Sequence, residues 1–244
     1  MVGLSAQEVL QVWERGQSGR TPGRMATLLA FACPENTEEW VTWPIGQRDA
    51  RLLELREKTF GPMLRAFALC PGCSGRLEFE LSIPDILARS PPVPLDTAFE
   101  LNCEDYSVRF RLPDSRDVAE AASFGDSGEA RLALLNRCVL EACCNGGVVA
   151  AADLPTEVVS RLSERISECD PQAEILLDLA CPDCGECWQE LLDIASFFWK
   201  ESQAEARRLL GQVHTLARVY GWGETEILSM SARRRDFYLE MVGA

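Results

Sequence analysis

Apolar residues recur every three to four positions at both ends of the chain, which is the spacing of amphipathic helices. The first such helix follows Ser5 and Glu8, which together form the polar pattern of a capping box. Beyond Asp193 the spacing continues to about Tyr220, where Gly221 favours a left-handed stop, and two shorter helices follow. The pattern therefore predicts helical N- and C-terminal regions.

The central part of the chain combines two periodicities. Apolar and polar residues alternate in short stretches, as expected of half-buried strands, at 77–83, 106–112 and 175–179. Helical spacing predicts a helix over 129–144 that Asn145-Gly146-Gly147 would cap. The prolines of 90–94 are typical of a linker, because proline cannot continue a helix.

The alternating stretches lie beside two related cysteine motifs. These are Cys70-Pro71-Gly72-Cys73 and Cys181-Pro182-Asp183-Cys184. The copies match over roughly 18 residues at a constant offset of 111. The alternating residues after the first motif have counterparts at the same offsets after the second. Such an internal repeat indicates one structural unit, a strand, a tight turn and a strand, used twice.

Two residues between cysteines allow both sulfurs of a turn to reach one ion, and proline after the first cysteine presets the turn. Four sulfurs complete a closed tetrahedral Zn²⁺ site, so we expect Cys70, Cys73, Cys181 and Cys184 to bind a structural zinc. The 107 residues between Cys73 and Cys181 require a large insert. Redox dithiols, a disulfide and a metal-free site are the alternatives.

These patterns predict a mostly helical α+β protein built around a split four-cysteine zinc ribbon. The ribbon would comprise residues 65–88 and 172–193, interrupted by an α-rich insert with one or two strands at 89–171. Helical regions at 1–64 and 194–244 would flank it.

Composition narrows the class of function. The net charge of −14 speaks against nucleic acid as a partner, since phosphate binding requires clustered Lys and Arg, and the main basic cluster is only 233–235. Eleven cysteines without a visible signal peptide indicate a cytoplasmic protein. No apolar run approaches the roughly 20 residues of a membrane span.

The sequence gives little indication of an enzyme. His214 is the single histidine, and no phosphate-binding loop, nucleophile elbow or metalloprotease motif is present. Cys143-Cys144 is a vicinal pair that we expect to be structural. Cys187 lies three residues after Cys184, but the repeat places Arg76 at the equivalent position, so Cys187 is not expected to be a ligand.

Several motifs, taken in order, resemble a known family. They are Ile45-Gly46-x-Arg48-Asp49, Phe60-Gly61-Pro62, the two cysteine motifs, 110–117, Asp170-Pro171-Gln172-Ala173, 205–228 and 233–239. This set resembles the baseplate proteins of contractile phage-like injection systems, which are related to the baseplate hub assembly chaperones of contractile-tailed phages.

The resemblance implies a non-enzymatic assembly factor or minor baseplate component that binds hub or spike proteins and contains a structural zinc. We expect the docking surface to include Tyr220, Trp222, Phe237 and Tyr238, because aromatic residues are enriched at binding hot spots. Packing of these side chains on the ribbon is the alternative. The alternatives are a zinc-ribbon module associated with nucleic acid or transcription and, less favoured, a thiol-disulfide enzyme.

Overall fold

The computed structural model of the protein describes residues 2–17, 21–33, 39–88 and 97–243. More than half of these residues are helical and the strands form three small sheets, which confirms the α+β class. Within the described residues, no helix combines the length and the apolar character that a membrane span requires. The predicted linker at 90–94 lies outside the described residues.

The described residues form two compact units. One takes its residues from Met1–Glu35, Leu52–Met63 and Asp193–Ala244, and the other from Asn36–Arg51 and Leu64–Leu192. The chain leaves and re-enters each unit, so neither is a continuous segment of sequence.

The first unit is helical. It contains α1 (Ala6–Gly16), α2 (Thr21–Ala32), the part of α3 (Ile45–Phe60) from residue 52 onward, α8 (Ile194–Tyr220), α9 (Glu224–Ser229) and α10 (Ala232–Met241). Val9 and Leu10 of α1 pack with Leu209 of α8 and Leu228 of α9 in a buried cluster. The predicted capping box at Ser5 forms, and Gly221 ends α8 with φ of 71°.

A buried ion pair joins two helices of this unit. The Nε and Nη2 groups of Arg56 in α3 donate to the two carboxylate oxygens of Glu201 in α8, at 2.8 and 2.6 Å. Arg56 also donates to the carbonyls of Gly61 and Met63, and its side chain is only 3% exposed. The chain after α3 is thereby bound to the same side chain that holds α8.

The second unit contains all eight strands of the described residues. They are β1 (Met63–Leu69), β2 (Arg76–Ser82), β3 (Phe99–Cys103), β4 (Tyr106–Phe110), β5 (Val139–Cys144), β6 (Gly147–Val148), β7 (Leu176–Ala180) and β8 (Cys187–Leu191). Its helices are α4 (Ile83–Leu87), α5 (Ser115–Ala121), α6 (Ser127–Cys138) and α7 (Thr156–Cys169). β1 pairs with β2, β7 pairs with β8, and β3 to β6 form a four-stranded sheet in sequential order.

The four-stranded sheet corrects two predictions for the insert. It has four strands, where the sequence predicts one or two, and the helix predicted over 129–144 is wrong beyond Cys138, because 139–144 is strand β5. Asn145 and Gly146, with φ of 48° and 81°, turn β5 back to β6 and do not cap a helix. Val139 and Ala142 face the core cluster from the sheet, so their burial suits either structure.

A polar network ties α5 to the rest of this unit. The side chain of Asp114 caps α5, and its backbone N–H donates a hydrogen bond to the carboxylate of Asp117. That carboxylate also accepts hydrogen bonds from the two terminal nitrogens of Arg111, at 2.6 and 2.9 Å, and from Nε of Arg137, at 2.6 Å. Arg48, at the start of α3, donates to the Ser115 hydroxyl at 3.0 Å.

A second polar contact holds the start of α3. The N–H of Gly46 donates to the carboxylate of Asp170 at 2.9 Å, across 124 residues of sequence. A side chain at Gly46 would lie 1.9 Å from that carboxylate, so only glycine fits. Burial raises the pKa of Asp170, against the lowering effect of the Gly46 N–H. Motifs that are distant in the sequence therefore meet in one place.

Candidate metal centre

Two hairpins carry the cysteine motifs. Cys70 and Cys73 lie in the turn between β1 and β2, and Cys181 and Cys184 lie in the turn between β7 and β8. The first cysteine of each motif is buried and the second is exposed. Each hairpin thus presents one sulfur from its interior and one from its surface.

The two turns have the same backbone structure. In the first, the N–H of Cys70 donates to the Gly75 carbonyl and the N–H of Ser74 donates back to the Cys70 carbonyl; the same two bonds recur at the equivalent positions of the second. Ser74 and its counterpart Gly185 both have positive φ, at 61° and 77°. Serine tolerates a positive φ less well than glycine. The two turns therefore share the backbone conformation at this position, although the residue differs.

The four sulfurs converge. All lie within 4.8 Å of one another, with Cys70 Sγ 3.5 Å from Cys184 Sγ and Cys73 Sγ 3.6 Å from Cys181 Sγ. Zn–S bonds of about 2.3 Å would place the sulfurs of a regular tetrahedron about 3.8 Å apart. The group could therefore hold a metal ion of this size after only small adjustments.

Backbone N–H groups also point at the sulfurs. The N–H of Gly75 donates to Cys73, and the equivalent N–H of Glu186 donates to Cys184. Two N–H groups, those of Cys184 and Asp183, lower the pKa of Cys181 to about 7. Such bonds favour thiolates, which are the form that binds metal.

Contacts between the thiols shift their ionisation in opposite directions: hydrogen bonds with Cys73 and Cys184 also lower the pKa of Cys181, whereas Cys184 shows the opposite effect. The Glu186 N–H by itself would lower the pKa of Cys184, but hydrogen bonds with the thiols of Cys70 and Cys73 outweigh this effect and raise that pKa to about 12. Four thiolates in contact require a compensating positive charge, which a divalent cation supplies.

The surroundings of the turns are acidic or neutral. Asp183 and Glu186 of the second hairpin approach Gly75 and Gly72 of the first. Arg76 follows the first turn in the sequence; its guanidinium stacks 4.2 Å over the ring of Phe67 and pairs with Glu78 at 3.0 Å. This end of the hairpins offers no free positive charge among the described residues for a phosphate backbone.

The remaining candidates lie apart from the four sulfurs. Cys187 is exposed, and its thiol contacts the Gly185 carbonyl. Cys144 hydrogen-bonds with Tyr106 in the four-stranded sheet. His214 is exposed on α8. Sequence reasoning named the four sulfurs but missed the N–H groups that point at them, because backbone direction depends on the turn as folded.

Comparison with known proteins places the chain in a family. No curated protein and no solved structure matches it significantly. The profile of the family described as T4 bacteriophage base plate protein matches residues 25–199, which is 175 of the 244 residues. That range includes both cysteine motifs and the polar contacts around α5 and Gly46. The chain therefore belongs to the T4 bacteriophage base plate protein family.

Proposed function

We propose that this baseplate protein is a non-enzymatic assembly factor or minor component of a contractile, phage-tail-like baseplate that binds hub or spike proteins. The observation that carries the proposal is the family match over most of the chain. The net charge of −14 supports it further, since an acidic surface favours a basic protein face over nucleic acid. Assembly would take place in the cytoplasm.

Zn²⁺ bound by Cys70, Cys73, Cys181 and Cys184 would have a structural role in this protein. Four sulfur ligands leave no open position for a substrate or a water, so the ion would not be catalytic. The ligands come from two hairpins that are separate sheets, with 107 residues between the motifs. Metal binding would therefore stabilise a long-range contact, and its free energy would appear as folding free energy.

The hub or spike partner would dock on the aromatic cluster at the end of the first unit. Tyr220 stacks on Trp222 with ring centroids 4.4 Å apart, and Tyr238 meets these two rings edge to face at 5.6 and 4.8 Å. Beside them, Phe237 and Met241 are 61% and 64% exposed. A rigid aromatic base with exposed apolar side chains has the composition of a binding hot spot.

Copurification from cells that express the chain together with its neighbouring genes tests the role. We expect the tagged protein to bring down a baseplate hub or spike protein. Phe237→Ser should abolish this, whereas Phe124→Ser, which changes an exposed phenylalanine of the second unit, should not. Recovery of nucleic acid without a baseplate protein would favour the nucleic-acid alternative.

Metal analysis tests the zinc separately. We expect one zinc per chain, four thiols that do not react with a thiol reagent until a chelator is added, and no thiol-disulfide exchange activity. Four reactive thiols that cycle with a dithiol substrate would instead identify a thiol-disulfide enzyme.

A further inference from the structure

A groove of about 490 Å³ lies in the second unit, away from the sulfurs. Its lining comes from the end of β2 and α4 on one side and from the segment that leads into β7 on the other: Glu80, Leu81, Ser82, Asp85, Ile86, Pro171, Gln172, Glu174, Ile175, Leu176 and Leu177. We propose that this groove binds an extended segment of a partner protein, with basic side chains alternating with apolar ones, which adds as a strand to the outer edge of β7.

The outer edge of β7 is the first support. Backbone bonds join Ile175 to Leu192 and Cys181 to Glu186, so the odd-numbered residues of β7 bond to β8. The N–H and C=O groups of Leu176 and the next even-numbered residues therefore point the other way. Among the described strands, none pairs with that edge. An edge with free backbone groups is a template for an added strand.

The composition of the groove is the second support. Ile86, Ile175 and Leu177 are buried or half-buried and provide an apolar floor. Asp85 and Glu174 are exposed and form no ion pair with another described residue, whereas Glu80 pairs with Arg65 at 2.8 Å. The lining contains no Lys or Arg.

Charge complementarity selects the occupant. Two unpaired carboxylates beside an apolar floor favour lysine or arginine alternating with aliphatic residues, and they disfavour an acidic segment. Alternation suits a strand, whose successive side chains point in opposite directions. The inference deepens the proposed function, since the segment would belong to the baseplate partner, but its test does not require that partner.

The probe is a fluorescein-labelled nine-residue peptide of alternating lysine and valine, added to the full chain in physiological salt. We expect saturable binding below about 1 mM. An alternating glutamate and valine peptide should not bind, nor should the lysine peptide with alternate backbone nitrogens methylated, because it cannot pair as a strand. Asp85→Lys with Glu174→Lys should weaken binding at least about ten-fold.

The matched control carries the same change of charge on exposed helix positions outside the groove, Glu120→Lys with Glu164→Lys. It should bind within about two-fold of the parent. Hydrogen exchange provides a second readout: the peptide should slow exchange of the Leu176 amide and leave Leu177, which already bonds to β8, unchanged.

Several results would overturn the inference: no binding, equal binding by the methylated peptide, equal weakening in the control variant, or no protection of Leu176. If the peptide binds as expected but no hub or spike protein copurifies, the groove stands and the proposed baseplate role fails. If a hub or spike protein copurifies but the peptide does not bind, the proposed baseplate role stands and the binding of a strand in the groove is rejected.

Discussion

Replacing Asp117 by Asn tests the network that holds α5. The side chain is fully buried and accepts hydrogen bonds from Arg111, Arg137 and the Asp114 backbone. Asparagine keeps the volume but removes the charge that two guanidinium groups share. We expect the second unit to lose stability at neutral pH while its fold is retained.

The pKa of Asp117 gives the magnitude. Burial by itself would raise this pKa, but Arg111, the Asp114 N–H and Arg137 lower it from 3.8 to about 2. One pKa unit corresponds to about 1.4 kcal/mol, so the ionised carboxylate contributes about 2 kcal/mol of folding free energy. The pKa is depressed in the folded state, so this contribution is complete above about pH 4 and is lost as the pH falls toward 2.

Urea unfolding at a series of pH values provides the assay. The free energy of unfolding should be about 2 kcal/mol lower for Asp117→Asn than for the parent at pH 7, and the difference should shrink between pH 4 and pH 2.5. Asp126→Asn is the control, because Asp126 caps α6 and pairs with no cation of the described residues, and asparagine caps equally well. A difference below about 0.5 kcal/mol at pH 7, or one independent of pH, would show that the ionised carboxylate does not stabilise the fold.

Three further substitutions test other parts of the account. Cys70→Ser should reduce bound zinc to near zero and destabilise the protein by several kcal/mol, whereas Cys187→Ser should keep one zinc per chain; equal melting temperatures would argue against a structural ion. Arg56→Met should cost about 3 kcal/mol in urea unfolding, because it breaks a buried pair, and Arg65→Met, which breaks an exposed pair, less than about 1 kcal/mol. Phe237→Ser should leave the melting temperature unchanged while partner copurification is lost, and a large drop in melting temperature would show a packing role instead.

Local signals in the sequence predicted the helical ends well. The capping box at Ser5 and the left-handed Gly221 both form where the sequence places them. Each depends on hydrogen bonds within a few residues, so its chemistry is readable without the rest of the fold.

The insert was predicted less well because its signal was ambiguous. Leu135, Val139 and Ala142 fit a helical stripe, but the second and third of these lie on strand β5 and face the same core. The overlooked signal is Asn145-Gly146, a dipeptide typical of a two-residue hairpin turn. The partners of the buried carboxylates could not be predicted from the sequence either. Asp117 lies 20 residues from its partner Arg137, and Asp170 lies 124 residues from Gly46.

Neighbouring residues were enough to predict the two cysteine turns, their equivalence and the number of sulfurs, because the structure of a turn depends on the few residues within it. The folded chain was needed to show that the two turns face one another and that one edge of β7, unpaired among the described strands, lies beside an acidic groove. These features depend on contacts between segments more than 80 residues apart, and such contacts are selected by packing and charge in the folded chain, not by any local pattern.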